Sequence, residues 1–246
     1  MLEVKKLRKS FGSFEAVKGI SFTVAKGEVL GFLGPNGAGK STTMRMITGF
    51  LPPTSGTASI CGFDISKSPV EAKRRLGYLP EAAPSYRAMV VEDFLKFIAE
   101  IRGLRGAACR EAVERAIVKA HLEPVAKKTI DTLSKGYRQR TCFAQAIIHD
   151  PEVLVMDEPT DGLDPNQKFA VREMIKSMAA EKAIIISTHI LEEVDAVCTR
   201  AIVIADGEIK ADGTPAQLKA MDPSGRLDIV FRSLTGGVAE VKEASK

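Results

Sequence analysis

The chain has 246 residues, 45% hydrophobic and 27% charged, with a formal net charge of +4 and no tryptophan. That apolar fraction excludes a disordered chain, and the length suits one large domain or one domain with a sub-lobe. A membrane-spanning helix needs about 20 mostly apolar residues; the longest charge-free stretch, Met46 to Phe63, contains Pro52-Pro53 and Thr54-Ser55-Gly56-Thr57 and reads as a loop.

Residues 2–30 read as short strands and turns, among them Phe22-Thr23-Val24. The apolar run Val29 to Leu33 stops at glycine and reads as a buried parallel strand. A helix is expected over 41–49, a strand over Thr57 to Cys61, and a short basic helix over 66–76 around Lys73-Arg74-Arg75. Val91, Phe94, Leu95, Ile98 and Ile101 follow the 3.6-residue period and predict a helix to about Arg102. Gly103 and Gly106 break it. Further helices are expected from about Arg110 to Ala120 and over 136–149, making a helical sub-lobe of about 85–150. Val153 to Met156 and Ala183 to Ile186 read as buried strands. The helices between and after them carry Val171, Met174, Ile175 and Met178, and span Ile190 to Cys198. Ile202 to Ala205, the turn Asp206-Gly207 and then Glu208 to Lys210 read as a hairpin, since Asp-Gly is a strong two-residue turn signal. Leu227 to Phe231 reads as a strand, followed by a loose Gly236-Gly237 segment. Strands alternating with helices imply a largely parallel sheet.

The charge singles out no partner. Cys61, Cys109, Cys142 and Cys198 are far apart with no CxxC pair, which predicts reduced, mostly buried thiols in a cytosolic protein. No apolar run follows Lys5-Lys6, so no secretory signal is expected.

Gly34-Pro35-Asn36-Gly37-Ala38-Gly39-Lys40-Ser41 fits GxxxxGK[ST] between an apolar strand and a helix, the context the motif requires. Its glycines let backbone N–H groups turn inward as an anion nest, and the following helix aims its positive end at phosphates. Lys40 is expected to reach the β- and γ-phosphates and Ser41 to ligate Mg²⁺, with Thr42 completing the loop. Val153 to Met156 ends in Asp157-Glu158. A carboxylate at such a strand end suits a metal beside a phosphate loop: Asp157 for Mg²⁺, Glu158 as the general base on water.

With these residues in view the chain resembles the ATP-binding subunit of an ABC transporter over about residues 2–220. Leu133-Ser134-Lys135-Gly136-Tyr137 looks like the family signature LSGGQ, with Lys for the first Gly and Tyr for Gln. Pro159 to Asp164 looks like the D-loop, Ser187-Thr188-His189 like the switch histidine after its strand, and Phe11 matches the aromatic that stacks on adenine. The resemblance implies an α/β fold: a P-loop NTPase (RecA-like) core with an antiparallel β subdomain and a helical signature subdomain. It places an ATPase domain at 1–220 and a short tail at 221–246. It implies that His189 holds the γ-phosphate and the water. Ser134 and Gly136 then bind ATP held by the opposite subunit of a head-to-tail dimer, with Asp164 working across the interface. Ser134 can itself cap the helix starting near Gly136.

Two departures stand out. Glu81, in Gly77-Tyr78-Leu79-Pro80-Glu81, occupies the family's Q-loop glutamine position; it can ligate Mg²⁺ but adds negative charge beside Glu158. Lys135 adds a cation near the opposing phosphates, expected to offset that charge. Tyr78 to Glu81 together with Ser134 to Arg140 is similar to the ATPases of ABC-2-type exporters of the gliding-motility and drug-resistance group. The implied partners are a transmembrane permease and a second ATPase chain, identical or paired, at the cytoplasmic face of a prokaryotic membrane, with no nucleic acid. The groove near Tyr78–Tyr86 and Val91–Arg102 is where a permease helix would dock, with Phe94 and Phe97 as candidate anchors. A soluble ABC-type ATPase acting on ribosomes or nucleic acid is the alternative. Its relatives carry two cassettes, a long coiled coil or zinc-binding cysteines, none of which the 246 residues hold. A small kinase or GTPase would lack the LSxG element and His189.

Overall fold

A computed structural model describes residues 1–82 and 85–236. The N-terminal half opens with strands β1 (Leu2–Phe11), β2 (Phe14–Val24) and β3 (Val29–Leu33), then helix α1 (Lys40–Ile47). Strands β4 (Ser55–Ile60) and β5 (Phe63–Asp64), helix α2 (Pro69–Arg74) and strand β6 (Leu76–Leu79) follow. Three helices come next: α3 (Val91–Ile101), α4 (Gly106–Lys119) and α5 (Lys135–Ile147). The α/β pattern resumes with β7 (Val153–Asp157), α6 (Pro165–Ala179), β8 (Ala183–Thr188) and α7 (Leu191–Val197). Strands β9 (Arg200–Ala205) and β10 (Glu208–Gly213) and helices α8 (Pro215–Lys219) and α9 (Leu227–Leu234) complete the described chain.

Two sheets organise these elements. One is antiparallel, in the order β2-β1-β4-β5; the other has the order β10-β9-β3-β8-β7-β6 and is parallel except for the β9–β10 hairpin. Strands β3, β7 and β8 are buried at every position, as expected of parallel strands covered on both faces. Their alternate side chains feed different cores. Leu154, Met156, Ile184 and Ile186 pack with the helical segment α3–α6, whereas Val153, Val155 and Ile185 pack with α1 and the antiparallel sheet. The two-residue period of a strand thus joins both layers through one sheet.

Several expectations are corrected. Leu227 to Phe231 is helical, because Leu227, Val230, Phe231 and Leu234 recur at helical spacing and together cover the core around Val203 and Leu218. Gly106 opens α4 rather than ending a break, so that helix starts before Arg110. The basic helix is shorter than 66–76, and its last positions yield to β6, a strand too short to announce itself. Cys61 leaves its strand in a left-handed turn at φ +50°. Gly237 and the tail beyond it lie outside the described residues. Cys109 and Cys142 are buried, Cys61 and Cys198 partly so, and no two are bonded. No described helix is long and apolar enough to cross a membrane.

His149, just past α5, couples this fold to pH. Burial, then the charge of Arg102, pushes its imidazole from 6.5 down to about 4, and its Nε2 lies 3.1 Å from the Leu76 carbonyl. The fold therefore favours the neutral ring. That stability is present above the unfolded value of 6.5 and is lost as pH falls toward 4. Wild-type protein is expected to lose about 2 kcal/mol more than His149→Gln between pH 7 and pH 5, read from denaturant unfolding at both pH values. Equal losses would show that His149 does not titrate on unfolding.

Candidate functional site

The site lies at the carboxyl ends of β3, β7 and β8, where open α/β sheets place their ligands. Pairing sets these ends level: Leu33 sits opposite Thr188, and Asp157 opposite Ser187. The loop after β3 crosses tightly packed backbone. A Cβ on Gly39, at φ +102°, would stand 2.6 Å from the Ala16 carbonyl, so only glycine fits. Gly39 is the N-cap of α1, whose first residue is Lys40.

Lys40 is 5% exposed and its amine is fully occupied by its own chain. It donates to the Gly34 and Pro35 carbonyls at 2.8 and 3.2 Å and lies 3.4 Å from Glu158 Oε1. The Ser41 hydroxyl donates to Asp157 Oδ1 at 3.2 Å, and the Ser187 hydroxyl donates to the same oxygen. Asp157, 1% exposed, has no cationic partner among the described residues. Glu158 sits at φ +51°, a conformation that costs a residue with a side chain about 1 kcal/mol or more. Its N–H is held by the Ser187 hydroxyl and carbonyl, both at 3.1 Å. The turn swings its side chain between Lys40 and His189, whose Nδ1 is 2.5 Å from Oε2.

Lys40, Ser41, Glu158 and His189 line a cleft of about 640 Å³ together with Phe11, Asn36, Gly37, Gly39, Thr42 and Glu81; Asp157 is buried, does not line it, and connects to it through the Ser41 hydroxyl. Of the loop residues expected here, Gly34 and Pro35 face Lys40 through their carbonyls, and Ala38 is buried beneath, its N–H on Pro35. Phe14 and Ala16 also line the cleft and escape the sequence reading, and Asp161, read only as part of the D-loop, lines it too. Hairpin register is the missing signal for Phe14: it pairs directly with Phe11, so the tip presents two exposed rings. Asp161 brings a third ligating atom within 4.8 Å of those of Glu158 and His189.

Ser134, Gly136 and Asp164 do not line this cleft. Ser134 caps α5, accepting from the Tyr137 N–H at 3.4 Å, and Asp164 caps α6, accepting from the Gln167 N–H at 3.0 Å. The two segments are packed on each other: Lys135 lies against Gly162, Gln167 against Gly136, and the buried Gln139 amide donates to the Pro159 carbonyl at 3.1 Å.

A second cleft, of about 780 Å³, opens between α2, β6 and α3. Phe50, Val70, Tyr78, Ile98 and Ile101 form its apolar lining, with Lys73, Arg74 and Arg102 beside them. Phe94 is buried and is no anchor here; Phe97 packs edge-on against Tyr86 at 5.6 Å and does not line it.

Fold and cleft together define a nucleotide-binding protein of the phosphate-loop α/β class. The chain belongs to the ABC transporter family, whose domain matches residues 17–161. It is 39% identical over 222 residues to "Nod factor export ATP-binding protein I" of Paraburkholderia xenovorans, covering 90% of this chain and 73% of that protein. It is 38% identical over 221 residues to "Probable multidrug ABC transporter ATP-binding protein YbhF" of Escherichia coli, which covers 89% of this chain; the chain spans only 38% of that relative's length. A solved "ATP binding subunit of ABC transporter" superposes with a TM-score of 0.85 at 30% identity, covering 95% of this chain and 99% of that one.

Proposed function

We propose that this chain binds and hydrolyses ATP as the nucleotide-binding subunit of a membrane exporter, acting as a pair of ATPase chains around two ATP molecules. The observation that carries this reading is the convergence in one cleft of the phosphate loop and Glu158, held between Lys40 and His189, with the buried Asp157 reaching Ser41 from behind it.

The residues fit a nucleotide triphosphate. Lys40 is held by acceptor oxygens of its own chain, the role that phosphate oxygens take over, and the N–H groups around Gly37 to Thr42 supply the nest. Phe11 and Phe14 offer the flat apolar surface for the base. The oxygen donor set, Ser41 with Asp157, suits a hard divalent cation, and the buried Asp157 carboxylate meets the Ser41 and Ser187 hydroxyls but no cationic side chain among the described residues. Mg²⁺, when bound, neutralises charge on the phosphate oxygens. Glu158 takes the proton of the attacking water, and His189 fixes the carboxylate and the water's orientation. Ser134, Gly136 and Asp164, which do not line their own chain's cleft, serve the nucleotide of the second chain.

Glu81 shares the metal. Glu81→Gln is expected to raise the Mg²⁺ concentration needed for half-maximal turnover; identical turnover at every Mg²⁺ concentration would place Glu81 outside the site. The apolar cleft around Phe50, Tyr78 and Ile101 receives a cytoplasmic helix of the permease, so the chain works at the cytoplasmic face of the membrane. Affinity purification from detergent extract tests this reading. A co-purifying multi-span subunit supports it, and co-purifying rRNA or DNA without one contradicts it.

A further inference from the structure

Three consecutive residues end β8 and pass into the turn before α7. Strand alternation sends Ser187 and His189 to one face and Thr188 to the other. Ser187 and His189 meet Asp157 and Glu158. Thr188, 1% exposed, donates its hydroxyl to Glu193 Oε2 on α7 at 2.7 Å. The same hydroxyl accepts from the Ile190 N–H at 3.0 Å, while the Thr188 carbonyl accepts from the Gly34 N–H at 3.4 Å. His189 therefore hangs from a turn pinned on both sides, and one of those pins reaches the start of the phosphate loop.

Glu193 is 2% exposed and does not line the cleft. Burial raises the pKa of its carboxyl; Thr188, then Arg172 and Lys168 of α6, act in the opposite direction, and Glu158 adds to the rise. Its second oxygen, Oε1, has no hydrogen-bond partner among the described residues, nor has the buried Nε of Arg172. Stability alone favours an apolar side chain at such a position, because a half-satisfied buried acid is costly.

We propose that Glu193 is the positioning residue of the switch, gripping Thr188 from behind the sheet and thereby fixing His189 against Glu158. This rests on the assignment of His189 and Glu158 to the hydrolytic step. The test measures ATP turnover and melting temperature for Glu193→Ala, Glu193→Gln, Thr188→Val and His189→Ala, and for Glu193→Ala combined with His189→Ala. Glu193→Ala and Thr188→Val are expected to lower kcat by about 10- to 100-fold, the scale of a group misplaced by about 1 Å, with KM for ATP nearly unchanged. Glu193→Gln, whose amide oxygen still accepts from Thr188, restores most of the rate. The combined variant is no slower than His189→Ala, because residues acting as a unit are not additive. Wild-type kcat in Glu193→Ala, or multiplied losses in the combined variant, would overturn the proposal. Should Glu193→Ala fail to fold, Thr188→Val decides: wild-type kcat there overturns it equally. Full turnover in His189→Ala would instead sink the site reading, and this proposal with it.

Discussion

Glu158→Gln is expected to slow ATP hydrolysis by about 10²- to 10⁴-fold, the contribution of a positioned general base, while leaving ATP bound. Glutamine keeps the shape of the side chain and an oxygen toward His189, so the 2.5 Å contact survives in form. What it loses is the ability to take a proton. The strained backbone at φ +51° is unaffected, because Ser187 holds the Glu158 N–H whatever the side chain. Binding and chemistry should therefore separate: affinity for ATP near wild type, phosphate release nearly abolished. Nucleotide affinity and phosphate release measured on one preparation check this. Wild-type turnover would remove Glu158 from the role of base.

Lys40→Met should have the opposite signature. Lys40 contributes a buried charge whose acceptors are now Gly34, Pro35 and Glu158. Methionine preserves volume and burial, and Glu158 retains His189, so the fold should persist. The loss falls on the phosphates. Hydrogen bonds to charged groups contribute about 1.5–3 kcal/mol each, so ATP affinity should fall by about 10- to 100-fold. Titration calorimetry with ATP reads this directly, with circular dichroism confirming that the chain remains folded. Unchanged affinity in a folded variant would mean that the lysine does not reach the phosphates.

Much of the site was legible because its chemistry is local. Gly34 to Ser41 needs particular residue types at consecutive positions, and Asp157-Glu158 follows directly on a fully buried strand. Residues that depend on pairing between distant segments were not legible. Phe14 faces the cleft through its register with Phe11, and Thr188 meets Glu193 only after β8 and α7 pack together. Phe94 shows the limit of periodicity: it belongs to the apolar stripe of α3, but only packing decides that it is core while Ile101 of the same stripe faces a cleft. At Leu227 the five residues considered were too few to separate a strand from a helix, and Leu234 extends the helical period. In Leu76–Leu79 the strand is made by its neighbour, since pairing with Val153 to Met156 supplies what four residues cannot supply alone.

The packing of Lys135 on Gly162 and of Gln167 on Gly136 ties the signature segment to the loop that carries Asp164. Ser134, Gly136 and Asp164 do not line their own chain's cleft, in keeping with the proposal that two chains together complete each ATP-binding site. Light scattering on the Glu158→Gln protein with and without Mg²⁺-ATP, with bound nucleotide counted, tests that claim most directly. One chain is expected without nucleotide and, with it, two chains holding two ATP molecules; one chain carrying one ATP at saturation would contradict the paired arrangement.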